Sequence, residues 1–72
     1  MSEEIAISGE TIRLGQLLKL AGVIGSGSEA RALLAAETVL VNNQVEDRRG
    51  RQLHPGDRVQ LPGHDLLVTA GG

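Results

Sequence analysis

The apolar spacing of this chain changes once, near Thr38, and that change constrains the fold more than any other feature. Before it, Leu14, Leu17, Leu18 and Ala21 stand at i, i+3, i+4 and i+7, one face of a helix, with Gln16 and Lys19 on the opposite side. Ala30, Leu33 and Leu34 form a second such face, from which Arg31 points away. After Thr38 the residues alternate, Val39 and Val41 to one side and Leu40 and Asn42 to the other. Ile5 and Ile7 give a weaker alternation ahead of the helices, closed by Gly9. This order predicts an α+β domain, with two short helices packed on a small, mainly antiparallel sheet of about four to five strands.

The punctuation agrees with that reading. Gly22 is placed to stop the first helix, and the aliphatic pair Val23-Ile24 inside Gly22-Val23-Ile24-Gly25 reads as a packed turn. Ser26 and Glu29 fit a capping box at the head of the second helix. Asn42-Asn43 suits a tight hairpin turn, because asparagine tolerates positive φ, and Val45 begins the return strand. In His54-Pro55-Gly56-Asp57, proline and glycine take the two central positions of a type II turn. Arg58 to Leu61 and Leu66 to Thr69 form strands on either side of the Pro62-Gly63 turn. The segment from Glu46 to Arg51 is too charged for a core strand and is expected to be an exposed loop outside the core.

Seventy-two residues hold one domain, residues 1–72, which buries only ~60% of the surface its unfolded chain exposes. Its core must come from 11 Leu, 6 Val, 4 Ile and 7 Ala, since Cys, Phe, Tyr and Trp are all absent. Without aromatic side chains the chain cannot bind single strands on stacking platforms. Without cysteine, and with His54 and His64 ten positions apart, no metal site or other cofactor is expected. No apolar run is long enough for a membrane span or a signal-peptide core, so a cytoplasmic protein is expected. No catalytic constellation is visible, and the chain reads as a binding module, monomeric, rather than an enzyme.

The formal charge of −2 argues weakly against a polyanionic partner until its distribution is considered. All seven bases lie between residues 11 and 63, against five acids there, a local balance of +2. Arg48, Arg49 and Arg51 fall within four positions, and consecutive guanidinium forks suit phosphate oxygens. They could equally pair with Glu46 and Asp47 in a solvated loop. Arg13 at the head of the first helix and Arg31 on the outer face of the second could complete a patch with them, whereas Gln16 is expected to be neutral to binding. Gly25-x-Gly27 ahead of a helix resembles an anion cradle but lacks the strand and further glycine of a dinucleotide fingerprint. The final Gly71-Gly72 suits a ubiquitin-like sulfur carrier, although such a carrier leaves the successive helices and the arginines unexplained. A protein-docking module would have only Val23, Ile24 and Leu40 as an apolar patch.

From Arg13 to Val59 the chain resembles the S-four RNA-binding domain, the alpha-L motif of ribosomal small-subunit protein four. The family's R-L-D-x-x-L opening is matched by Arg13-Leu14-Gly15-Gln16-Leu17-Leu18 at the arginine and both leucines. Its S-R-S-E-A-R helix start corresponds to Ser26-Gly27-Ser28-Glu29-Ala30-Arg31, its V-x-V-N-G hairpin to Val39 to Asn43, and its P-G-D-x-V turn to Pro55 to Val59. The run from Leu17 to Leu20 and the stretch from Asp47 to Leu53 are similar to the small standalone bacterial type (YaaA/YbcJ-like). The resemblance implies binding of a structured RNA, ribosomal or transfer, through Arg13, Lys19, Ser28, Arg31, Asn42, Arg48, Arg49 and Arg51. Two usually basic positions are Gly27 and Leu40 here, so either the arginine loop supplies the phosphate contacts or affinity is low.

Overall fold

The computed structural model describes residues 3–71. The two stretches of helical spacing become α1 (Leu14–Leu20) and α2 (Gly27–Ala35). Five strands form one sheet: β1 (Glu3–Ile7), β3 (Leu40–Val41), β4 (Gln44–Val45), β6 (Arg58–Leu61) and β7 (His64–Ala70), in the order β1-β7-β6-β3-β4. All its pairings are antiparallel except β1 with β7, which run parallel with Ile5 opposite Val68. A second, two-stranded sheet pairs β2 (Ile12–Arg13) with β5 (Gln52–Leu53). Neither member of that pair, nor the parallel register of β1, is signalled locally. Two-residue strands have no periodicity, and the pairing is imposed by chain segments some forty to sixty positions away.

The turns obey their residue types. Asn42 and Asn43 have φ of 51° and 69°, the paired left-handed conformation of a tight hairpin. Gly56 at φ 99° completes the turn closed by Asp57 N–H to His54 O. α1 ends at Gly22, φ 76°, with Val23 N–H bonded to Leu18 O and Gly22 N–H to Lys19 O, a Schellman closure. At α2, Ser26 Oγ accepts from Glu29 N–H at 3.4 Å. Glu29 reaches back one residue further than a capping box requires, accepting from Gly25 N–H at 2.9 Å.

The helices bring Leu14, Leu17, Leu18, Ala30 and Leu34 into one cluster with Val41, Val59, Leu61, Leu66 and Val68 of the sheet. Ile24, the second half of the aliphatic turn, joins that cluster, and Val23 packs against it. Leu14, Leu17, Leu18, Leu53, Leu66 and four valines are fully buried, each stabilising the fold by about 1.5–3 kcal/mol.

The segment after β4 is not the wholly solvated loop its charge suggests. Glu46 is buried, its N–H bonded to Val39 O. The loop carbonyls of Arg51 and Arg49 accept the N–H groups of Leu14 and Gly15 at 2.9 and 3.0 Å. α1 has no side-chain cap, and the loop completes its first turn instead. At the other end of the chain, Gly71 N–H donates to Ile7 O and extends the β1–β7 ladder, while Gly72 lies outside the described residues.

Candidate nucleic-acid interface

The docked loop sorts its three arginines to different tasks. The Glu46 carboxylate accepts a fork from Arg48, Nε to Oε2 at 3.1 Å and Nη2 to Oε1 at 3.2 Å. Arg48 N–H adds a third bond, and Arg51 Nη1 a fourth at 2.8 Å. The Arg48 hydrogen bond, with help from Arg51 and against the opposing effect of burial, lowers the Glu46 carboxyl to about 2. Both cations are therefore committed to the loop's own anchor. They line a depression shared with Gln52, His54 and Asp57.

Arg49 turns the other way. Its carbonyl is bonded to α1, and its side chain crosses Gly15 and ends beside Gly27 at the head of α2. No carboxylate pairs with it among the described residues, and the same holds for Arg13, Lys19 and Arg31. A cleft of about 420 Å³ is lined by Arg13, Gln16, Lys19, Gly27 and Arg49, among others. Arg49 also lines the adjoining depression with Ser28 and Arg31. The two share Gly27 and Arg49, so the four unpaired cations border one continuous surface that runs over both helix starts. Among the described residues no acid lines either depression; Asp47 lines a third, together with Arg31 and Arg49, without pairing with either.

The structure thus gathers five of the eight residues implicated by sequence: Arg13, Lys19, Ser28, Arg31 and Arg49. It places Arg48 and Arg51 in a depression that meets the cleft at Gly50 alone, and Asn42 at the β3–β4 turn. The Asn42 amide donates to Asp57 Oδ1 at 3.1 Å and accepts from Arg58 N–H at 3.0 Å, so its polar atoms are used in joining the turn to β6. For Asp57, burial works to raise the carboxyl, but His54 N–H, the Asn42 amide and nearby positive charge hold it below the usual range. The alternative pairing of the arginines with acids is realised for Arg48 and Arg51 on Glu46, and not for Arg49.

Gln16 is the residue that the sequence reading set aside and the cleft includes. A signal existed: Arg13, Gln16 and Lys19 are spaced by three and share a helix face. Among the described residues no cluster of His, Asp and Glu could hold a metal ion, and no helix is long and apolar enough to cross a membrane.

The family model described as the S4 domain matches residues 5–69. RlbA of Bacillus subtilis, whose name proposes a role in ribosome maturation, is 49% identical over 63 residues, covering 88% of this chain and 89% of that protein. YbcJ of Escherichia coli, whose name proposes that it binds RNA, is 36% identical over 59 residues, covering 82% and 84% respectively.

Proposed function

The chain belongs to the S4 domain family, and from that premise we propose that it is an RNA-binding module for a structured RNA of the ribosomal or transfer class. The observation that carries the reading is the segregation of charge. Among the described residues, four cations without carboxylate partners border one surface, while Arg48, Arg51 and Arg58 are each paired with an acid. Guanidinium forks and one ammonium, spread over two helix starts, suit phosphates and 2′-hydroxyls of a folded RNA, read by shape. With no aromatic side chain in the protein, an unstacked base has only guanidinium planes to lie on. The role is that of a cytoplasmic, monomeric binding protein, with no chemistry performed on the RNA.

Gln16 joins Arg13, Lys19, Ser28, Arg31 and Arg49 in the proposed contact set, and Asn42, Arg48 and Arg51 act as supports. Titrating a ribosomal-RNA stem-loop against salt tests this. Four phosphate contacts give a slope of log K against log salt of about −3. Replacing Arg13, Lys19, Arg31 and Arg49 together by Ala should remove most of that slope without lowering the melting temperature. An unchanged slope would defeat the assignment. The sulfur-carrier reading is not favoured, since Gly71 is bonded into the sheet and the family match spans both helices and the strands.

A further inference from the structure

Gly15 and Gly27 lie on different helices yet face the same side chain. A Cβ at Gly15 would stand 2.5 Å from Arg49 Cγ and 3.1 Å from its Cδ. A Cβ at Gly27 would stand 3.1 Å from Arg49 Nη1. Neither glycine has the left-handed φ of Gly22, Gly56 or Gly63, so neither backbone conformation requires glycine. Glycine is also a poorer helix residue than alanine. What these two positions provide is room.

We propose that Gly15 and Gly27 are positioning residues of the interface: together they form a seat that lays Arg49 across both helix starts and holds its guanidinium out for RNA. This rests on the RNA-binding reading above. The root of the side chain is fixed by Gly15 N–H to Arg49 O, and the flanking arginines are held by Glu46. The stem is held by contact with Gly15, and the tip lies in the room left over Gly27. A long, flexible cation is thereby pre-ordered without a carboxylate that would neutralise it, so less freedom is lost when it meets a phosphate. Arg13 and Arg31 have no such seat and serve as references for ordinary surface arginines.

The test is a double-mutant cycle read by affinity for a ribosomal-RNA stem-loop, together with the Arg49 Nε–Hε NMR signal of the free protein. Arg49→Ala should lower affinity about tenfold. Gly15→Ala should cause a comparable loss and free the Arg49 signal, and the double variant should lose no more than Arg49→Ala alone. Gly27→Ala, which crowds only the movable tip, should cause a smaller loss and covers the case in which Gly15→Ala fails to fold. Additive losses overturn the seat, as does an Arg49 signal equally mobile before and after either glycine substitution. If Gly15→Ala binds like the parent while Arg13→Ala and Arg31→Ala lose affinity, the seat is wrong and the RNA-binding reading stands. If the parent does not bind structured RNA at all, both are overturned.

Discussion

Arg48 and Arg49 are adjacent in the chain and differ in almost everything that matters. Arg48 folds back with Arg51 onto the buried carboxylate of Glu46. Arg49 lies across two glycines with no acid partner among the described residues and shares its surface with Arg13, Lys19 and Arg31. One half of the loop is an internal electrostatic anchor, and the other half presents charge. A run of like charges in a sequence is thus not one site. Arg49 can stay unpaired because its neighbours supply the pairing that holds the loop, and the loop in turn closes the first turn of α1.

The comparison breaks most visibly if the anchor is removed. Glu46→Ala leaves two guanidinium groups without their shared acceptor and loosens the loop from α1, and should destabilise the domain by about 1–3 kcal/mol in a urea melt. Arg49→Ala should stay within about 0.5 kcal/mol of the parent in the same measurement. Equal losses would mean that the two halves of the loop are not distinct.

Acid should act on the same anchor. Because the Glu46 carboxyl is lowered to about 2, its contribution is fully present above its ordinary value near 4.5 and fades as pH falls toward 2. Asp57 is lowered too and contributes in the same direction. Thermal melts across that window should show Glu46→Gln less sensitive to acid than the parent. Identical slopes would place the acid response elsewhere.

The smallest effect belongs to the start of α2, which is capped by its own residue whereas α1 relies on the loop. Ser26→Ala should cost about 0.5–1 kcal/mol, the lower part of the range for a cap because the bond is long at 3.4 Å. Its melting curve should shift without altering the acid response of the Glu46 anchor.

Much of the fold is legible from local chemistry. Leu14, Leu17 and Leu18, the asparagine turn, Gly22 and Pro55-Gly56 each declare their conformation within a few residues. The β2–β5 pair and the parallel β1–β7 register do not, because Ile12 meets Leu53 and Ile5 meets Val68 only after the chain has closed. The site was half legible for the same reason. Arg13 and Arg31 could be assigned to helix heads and faces, but nothing local tells Arg49 from Arg48. That distinction depends on Glu46 turning inward beneath the segment. Gly27 reads in sequence as a missing basic residue and Gly15 as an unmatched position of the opening motif, and only the folded chain shows Arg49 occupying the space they leave.

The most direct measurement of this division is an NMR titration of the six arginine Nε–Hε signals with a ribosomal-RNA stem-loop. The signals of Arg13, Arg31 and Arg49 should shift or broaden in proportion to bound RNA, while those of Arg48, Arg51 and Arg58 keep their free positions. Movement of Arg48 and Arg51 with Arg49 unaffected would contradict the account and place the interface on the opposite side of the loop.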